Sequence, residues 1–208
     1  MNPLRAALNA LLPTRCPLCT GYLSASEIGI CTACLSQIPD AMLEGDLLHL
    51  GNYHGALERA ARALKFGKNR EVAVPLAAKL ALGIAGLGWQ ADAVVPLPIH
   101  VSRARVRTYN QSEVIATHLA RGLKIPVLHA LQRTRATYTQ ARLDRSEREQ
   151  NVKGAFSVTG SVAGLELLLL DDVYTSGATL TEASYALIAA GAKRVRIVIL
   201  ARATNARL

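Results

Sequence analysis

The sequence predicts an α/β fold, in which helices flank a parallel sheet, preceded by a small module built on cysteines. Short apolar runs of strand length alternate along the chain with segments that repeat apolar residues at helical spacing. One such run ends in Asp171 and Asp172, just before a loop that contains glycine. All four cysteines lie before residue 35, in two Cys-x2-Cys pairs. We therefore expect two domains, a cysteine module over 1–45 and an α/β domain over 46–208.

The composition is that of a chain that folds around an apolar core without a membrane. Of the 208 residues, 50% are hydrophobic, which is too many for a disordered chain. No apolar stretch approaches the ~20 residues that a membrane span requires. The opening segment, 1–16, is too short and too soon interrupted to resemble a signal peptide. These features predict a soluble, cytoplasmic protein.

The first elements of the chain are a helix and a metal site. Leu4, Leu8 and Leu11 share one helical face, and the two cysteine pairs follow, eleven residues apart. Each Cys-x2-Cys turn directs two thiolates at one ion, which favours tetrahedral Zn²⁺. The predicted zinc ligands are Cys16, Cys19, Cys31 and Cys34. A redox Cys-x2-Cys is the alternative, but it does not explain two copies. Because no histidine or open ligand position lies nearby, the zinc is predicted to be structural.

The rest of the chain alternates between helices and strands after a polar joint at 39–45. Helical spacing of apolar residues predicts helices over 55–66, 72–85, 111–123 and 178–190. Apolar runs predict strands over 91–98, 152–158, 165–170 and 194–201. The polar, arginine-rich stretch at 132–151 has no clear core face. Strands separated by helices favour a parallel sheet with crossover connections.

The most informative segment follows the strand at 165–170. Its two aspartates, Asp171 and Asp172, stand at the carboxyl edge of the sheet, where open α/β folds bind ligands. The loop that then opens a helix consists of Tyr174, Thr175, Ser176, Gly177, Ala178 and Thr179. Such a loop presents backbone N–H groups and the positive end of a helix to an anion. Carboxylates beside a phosphate loop suit a ribose 5-phosphate, with Asp171 and Asp172 accepting from its hydroxyls.

Three other interpretations of this segment were weighed. A Walker P-loop requires Gly-Lys-Ser/Thr, which the segment lacks. A response-regulator strand also ends in paired aspartates, but it opens its domain and has no such loop. An ordinary strand, turn and capped helix with acids at the sheet edge stays open.

The Asp171-Asp172 segment resembles the phosphoribosyl diphosphate (PRPP) motif of type I phosphoribosyltransferases. A four-cysteine module before such a domain resembles the ComF family, which is linked to competence and DNA uptake. The resemblance extends over nearly the whole chain. It includes Tyr53-His54-Gly55, Lys65-Phe66, Val95-Pro96-Leu97-Pro98, Arg107-Thr108-Tyr109-Asn110-Gln111, Gln140-Ala-Arg142-Leu and Arg148-Glu-Gln-Asn151-Val-Lys-Gly154-Ala-Phe156.

This resemblance implies a type I phosphoribosyltransferase-like sheet that binds PRPP with Mg²⁺. The loop between the first core strand and its helix then holds the diphosphate. The candidates there are Arg103, Arg105, Arg107, Asn110 and Gln111. Thr108 stands where the family usually has glycine. Asn110 and Gln111 either bind ligand or only start the helix.

The resemblance also places a mobile loop over the site in the stretch 132–151. Its candidates for screening the charge of the leaving group are Arg142 and Arg148, with Arg133 and Arg135 beside them. Lys65 and Tyr53 lie far upstream, and each either approaches the site or only packs on its own helix.

The charge of the chain indicates a polyanionic partner. The net charge is +9, and residues 103–149 carry ten basic side chains against four acidic ones. Arginine binds phosphate in a bidentate manner, so this stretch suits PRPP or a nucleic acid. Two functions remain open: a phosphoribosyltransferase with an unidentified acceptor, and a non-catalytic PRPP or nucleotide sensor that binds single-stranded DNA. A third hypothesis is an interaction protein whose zinc module docks a helicase or other machinery.

Overall fold

The computed structural model describes residues 14–67, 69–99, 109–134 and 152–203. Its seven strands are β1 (Met42–Glu44), β2 (Leu47–His49), β3 (Ala93–Pro96), β4 (Leu131–Arg133), β5 (Phe156–Val158), β6 (Glu166–Tyr174) and β7 (Arg194–Arg202). Five of them form one sheet in the order β1-β2-β7-β6-β3. The other two, β4 and β5, pair as a separate antiparallel ribbon.

The main sheet is parallel except at one edge. Strands β2, β7, β6 and β3 run in the same direction, and only β1 is antiparallel to its neighbour β2. Strand β6 lies between β3 and β7, and its Leu169 lies opposite Val95 of β3 and Ile197 of β7. Parallel strands need crossover connections, which explains the helices between them. All parallel strands therefore end at one edge, where the loops after them meet.

Five helices lie in the described ranges: α1 (Thr32–Leu35), α2 (Gly55–Lys65), α3 (Ala73–Gly86), α4 (Gln111–Leu123) and α5 (Ala178–Ala189). A 3₁₀ turn, Arg70–Val72, precedes α3. None of the helices in these ranges is long and apolar enough to cross a bilayer.

Two apolar clusters cover the two faces of the sheet. Leu168 and Leu170 of β6 belong to the cluster that also contains the buried faces of α2, α3 and α4. Leu167 and Leu169 belong to the other cluster, together with α5 and the β4–β5 ribbon. This alternation along β6 follows from the two-residue period of a strand. It makes β6 apolar on both sides, as in a central parallel strand.

The predicted α/β fold is confirmed, and the structure adds strands that the sequence pattern did not indicate. The predicted helix 111–123 coincides with α4, and the other three agree to within one residue at each end. Strand β6 does not end at Asp171 but continues to Tyr174, so both aspartates are part of the strand. The predicted joint at 39–45 contains β1.

The segment 14–38 packs against the α/β part of the chain. Its buried side chains, such as Leu23, Ile30 and Ile38, share the cluster of α2 and α3. The expected domain boundary at 45/46 falls in the turn between β1 and β2. The division into two domains stays a prediction, as does the opening helix, which lies outside the described residues.

Candidate functional site

The site lies at the carboxyl edge of the sheet, where β6 delivers two adjacent carboxylates. Leu167 to Leu170 are fully buried, whereas Asp171 and Asp172 are partly exposed and line a pocket. Strands β3 and β7 flank β6 on either side, so loops from both neighbours adjoin this point. This arrangement is the ligand-binding crevice of open α/β sheets.

Asp171 is held in place by two hydrogen bonds to one of its oxygens. The Ser112 hydroxyl donates to Oδ1 over 2.8 Å, and the backbone N–H of Asp172 donates to the same atom over 2.9 Å. Burial, reinforced by the neighbouring charge of Asp172, raises the pKa of Asp171 to about 7. The two hydrogen bonds and the positive charge of Lys65 oppose this rise. Asp171 is therefore a carboxylate that titrates near neutral pH.

The loop after β6 leads directly into α5 and forms the other side of the pocket. Gly177 immediately precedes α5 with φ of +79°, and no side chain caps the helix. A Cβ at this position would lie 2.2 Å from the Tyr174 hydroxyl oxygen, so only glycine fits. The first N–H groups of a helix have no acceptor within the helix, and the helix dipole adds positive potential there. The start of this helix can therefore attract an anion a few residues from the carboxylates.

The pocket has a volume of about 210 Å³. Predicted site residues that line it are Asp171, Asp172, Thr175, Ser176, Gly177, Thr179 and Gln111. Ala178 follows in the first turn of α5. The structure thus brings the carboxylates and the predicted phosphate loop together at one opening.

Two side chains from upstream segments also reach the pocket. Tyr53 follows β2, and Lys65 is the last residue of α2. Burial raises the pKa of Tyr53, with the charges of Glu58 and Asp172 adding to the effect, so its hydroxyl remains a donor at neutral pH. The sequence alone did not decide whether Tyr53 and Lys65 reach the site. The only signal for them was their place in short segments that resemble the family.

The loop between β3 and α4 is described only at its ends. Asn110 accepts from the Ser112 N–H through Oδ1 and donates through Nδ2 to the Leu97 carbonyl over 2.9 Å. Its side chain therefore caps α4 and ties the loop to β3. Gln111 is buried and lines the pocket. The predicted diphosphate ligands Arg103, Arg105 and Arg107 lie outside the described residues.

The arginine-rich stretch begins and ends at the β4–β5 ribbon. Arg133 of β4 pairs with Phe156 of β5, its guanidinium carbon lies 5.4 Å from the centre of the Phe156 ring, and the residue lines the pocket. The Thr134 N–H donates to the Ala155 carbonyl over 3.0 Å. Arg142 and Arg148 themselves lie outside the described residues.

The four cysteines form one compact cluster in the N-terminal segment. Their sulfur atoms, those of Cys16, Cys19, Cys31 and Cys34, all lie within 4.8 Å of one another. The Cys19 and Cys31 sulfurs are 3.7 Å apart. Tetrahedral Zn²⁺ with bonds of ~2.3 Å requires sulfur atoms ~3.8 Å apart, so the residues fit this ion. The cluster can hold a metal ion such as Zn²⁺.

Hydrogen bonds around Cys16 favour its thiolate form. Burial raises its pKa, but the backbone N–H groups of Cys31, Leu18 and Cys19 outweigh burial and bring it down to about 7. The N–H of Cys31 donates to the Cys16 sulfur over 3.5 Å. Such N–H···S bonds stabilise the charge that a metal-bound thiolate carries.

Known proteins are similar to this chain in sequence and in fold. A family model described as the phosphoribosyl transferase domain matches residues 109–208. Among solved structures, the glutamine PRPP amidotransferase from B. subtilis superposes with a TM-score of 0.46 and 22% identity, over 67% of this chain and 30% of its own. The residues that the family model matches, 109–208, contain β6 and α5. The sheet, the site and the matched model define a protein of the type I phosphoribosyltransferase fold with a four-cysteine cluster.

Two relatives cover nearly all of this chain. The DNA utilization protein YhgH of Escherichia coli K12 is 32% identical over 91% of this chain and 84% of its own length. Competence protein F of Haemophilus influenzae is 29% identical over 91% of this chain and 97% of its own length. The chain belongs to the ComF family.

Proposed function

We propose that this protein binds PRPP at the carboxyl edge of β6 and transfers its phosphoribosyl group. The observation that carries the proposal is that Asp171 and Asp172 open on the same pocket as the loop at the start of α5. In this proposal the 5-phosphate binds the N–H groups around Gly177, and the carboxylates accept from the ribose hydroxyls. The N–H groups suit the 5-phosphate and the carboxylates suit the ribose hydroxyls, so both kinds of protein group fit one ligand.

The diphosphate of the ligand, bound as its magnesium complex, needs positive charge on the remaining side of the pocket. Lys65 and Arg133 are positively charged residues that line the pocket, and Gln111 adds an amide. The predicted Arg103, Arg105 and Arg107 belong to the loop that precedes Gln111. Guanidinium and ammonium groups stabilise the charge that develops on departing diphosphate.

The proposed reaction is a displacement at C1 of the ribose. The bond from C1 to the diphosphate oxygen breaks, the electron pair leaves with diphosphate, and a lone pair of the acceptor forms the new bond to C1. A proton leaves the acceptor, so the products are diphosphate and the phosphoribosyl-acceptor compound. Positive charge grows on the ribose meanwhile, and the paired carboxylates beneath it favour that charge. No nucleophilic side chain is required.

Calorimetry with PRPP and Mg²⁺ tests the binding step. We expect the wild type to bind and Asp171→Ala/Asp172→Ala to lose binding by at least about tenfold, because two charge-assisted acceptors are removed. The matched control is Asp40→Ala/Asp46→Ala, which removes two exposed carboxylates elsewhere. If the wild type does not bind PRPP, the proposed function is wrong.

Release of diphosphate from PRPP tests the transfer step. The wild type is incubated with each of adenine, guanine, hypoxanthine, uracil and orotate, and free diphosphate is measured. Acceptor-dependent release supports a phosphoribosyltransferase. PRPP binding without release from any of them favours the second candidate.

The second candidate is a non-catalytic sensor that contacts single-stranded DNA. The names of the two relatives favour it, since they refer to competence and to DNA utilization. The net charge of +9 also suits phosphate backbones. In the cysteine segment, Tyr22 is exposed and the Arg15 guanidinium lies 4.5 Å from its ring centre, a pair that suits an unstacked base and its phosphate.

Salt dependence separates the two candidates. Fluorescence anisotropy with a labelled single-stranded oligonucleotide is measured at 50 and 200 mM salt, on the wild type and on Asp171→Ala/Asp172→Ala. DNA binding that survives the double substitution and weakens steeply with salt supports the sensor. Absence of DNA binding at 50 mM salt contradicts it.

We also propose that Cys16, Cys19, Cys31 and Cys34 hold a structural Zn²⁺ that organises the domain 1–45. The support is the closed set of four sulfur ligands, which leaves no open position for a substrate. Metal analysis of the purified protein is expected to give one zinc per chain. Cys19→Ser is expected to lose it.

A further inference from the structure

Ser112 lies at the start of α4, beside the carboxylates of β6. Its side chain is buried, with 3% of the residue exposed. Its hydroxyl donates to Asp171 Oδ1 over 2.8 Å. This hydrogen bond joins two segments that are 59 residues apart in sequence. It connects the end of the β3–α4 loop to the strand that carries the site.

The position of Ser112 is fixed by Asn110, the residue that caps its helix. Asn110 accepts from the Ser112 N–H over 3.2 Å, and the Asn110 amide donates to the Leu97 carbonyl. Leu97 follows β3, which pairs with β6. Ser112 is therefore anchored through Asn110 to the segment after β3, and its hydroxyl contacts Asp171 on the neighbouring strand β6.

Both hydrogen bonds to Asp171 end on the same oxygen. Oδ1 accepts from Ser112 and from the Asp172 N–H, which fixes the plane of the carboxyl group. Oδ2 is then the oxygen available to a ligand in the pocket. A carboxylate oriented in advance loses less conformational freedom when its ligand binds.

We propose that Ser112 is a positioning residue that orients the Asp171 carboxylate toward the ligand and couples it to the β3–α4 loop. The proposal rests on the proposed function for the identity of the ligand, but not for the orientation of the carboxylate. Ser112 also lines the pocket, and the proposed role is carried by its hydrogen bond to Asp171.

The hydrogen bond also affects the charge of Asp171. Donation from a hydroxyl stabilises the ionised carboxylate, so loss of the hydroxyl raises the pKa of Asp171 further. The other ionisable side chains that line the pocket are Tyr53, Lys65, Arg133, Asp172 and Tyr174. Among these, Asp172 raises the pKa of Asp171 and Lys65 lowers it, and neither is changed by a substitution at 112.

The first test is the affinity for PRPP and Mg²⁺ between pH 6 and 9, measured by calorimetry on Ser112→Ala. We expect about tenfold weaker binding at pH 7, with the loss becoming smaller toward pH 9, where Asp171 is ionised in both proteins. The matched control is Thr117→Ala, which removes an exposed hydroxyl on the same helix that bonds only the Glu113 carbonyl. No loss, or a loss no larger than that of Thr117→Ala, overturns the proposal.

A second test needs no ligand and separates this proposal from the proposed function. The carboxyl carbon of Asp171 is followed by ¹³C NMR during a pH titration of the ligand-free protein. We expect the Asp171 midpoint to rise in Ser112→Ala and to return toward the wild-type value in Ser112→Thr. An unchanged midpoint in Ser112→Ala overturns the positioning role. Failure of the wild type to bind PRPP, with the midpoint shifted as expected, overturns the proposed function alone.

Discussion

The buried carboxylate charge of Asp171 lowers the stability of the folded protein. Its pKa is about 7 in the folded protein, mainly because of burial, and 3.8 is the ordinary value. The folded state thus holds the proton more tightly than the unfolded state between these two values. Across that range the stability of the wild type falls as the pH rises, and above pH 7 the full cost is present. Binding residues often cost stability in this way.

We predict that Asp171→Asn stabilises the ligand-free protein at pH 8. The amide oxygen can still accept from Ser112 and from the Asp172 N–H, but no charge is buried. The gain is on the order of 1–2 kcal/mol, less than the shift alone implies because water reaches the pocket. Thermal melts at pH 8 and pH 4 measure it, and the gain should disappear at pH 4.

The exposed Asp46→Asn is the control for this prediction, and it should give no comparable gain. PRPP binding by Asp171→Asn should be lost at both pH values. Equal melting temperatures of Asp171→Asn and wild type at pH 8 would show that Asp171 ionises without cost.

Single residues of the site differ in how far the sequence predicts them. Asp171, Asp172 and Gly177 stand in one continuous segment, so their chemistry and spacing suffice to predict that they lie together. Ser112, Tyr53 and Lys65 reach the pocket only because α2 packs beside β7 and α4 beside β6. Nothing in their local sequence records that packing. This is why the sequence left Tyr53 and Lys65 open and did not indicate Ser112.

At the scale of elements, the start of α5 depends on the conformation of Gly177. Any L-residue with Cβ at φ of +79° is strained by about 1–2 kcal/mol, and here a Cβ would also overlap the Tyr174 ring. Relief requires that Tyr174 or the loop moves. Either movement displaces the N–H groups that we propose to bind phosphate.

We predict that Gly177→Ala weakens PRPP binding by more than about tenfold, in addition to a modest loss of stability. The matched control is Gly164→Ala, at φ of +76° with no atom within 4 Å of the added Cβ. Gly164 precedes β6 at the opposite edge of the sheet. Thermal melts should show a loss of stability for both variants, larger for Gly177→Ala because of the overlap with Tyr174, and calorimetry should show weaker binding only for Gly177→Ala. Equal affinities would contradict an anion site at the start of α5.

The elements that the sequence predicted are those with a long pattern. Helix α4 repeats apolar residues over 13 positions, and β6 and β7 are apolar runs bounded by charged residues or turns. Strands β1, β2 and β4 have only three residues each, too few for a period to show. β4 also lies beside the arginine-rich stretch, and its pairing with β5 bridges more than 20 residues. Such pairing is set by tertiary packing and not by local pattern.

At the scale of the whole molecule, the pocket is assembled from distant parts of the chain. The loop at the start of α5 and Ser112 lie in the region that the family model matches, 109–208, while Tyr53 and Lys65 lie before it. α2, which carries Lys65, shares an apolar cluster with the cysteine segment. The cysteine segment therefore supports the layer of helices that delivers Lys65 to the site.

Close backbone contact holds the cysteine segment on this layer. Gly29 has φ of +68°, and a Cβ there would lie 2.2 Å from the Glu71 carbonyl oxygen in the 3₁₀ turn before α3. A backbone atom has less freedom to move away than the end of a side chain. An added methyl group must therefore separate the two segments or displace the turn.

We predict that Gly29→Ala lowers the melting temperature of the whole chain more than Gly45→Ala does. Gly45 has φ of +61° and no atom within 4 Å of an added Cβ, so it reports the backbone strain alone. The expected difference is about 2 kcal/mol, or roughly 4–8 °C at this chain length. Zinc content should stay the same, because the contact between Gly29 and Glu71 involves none of the four sulfur ligands. Equal melting temperatures for the two variants would mean that the segment 14–38 is only loosely docked, whereas the shared core and the close approach at Gly29 indicate that it is held firmly.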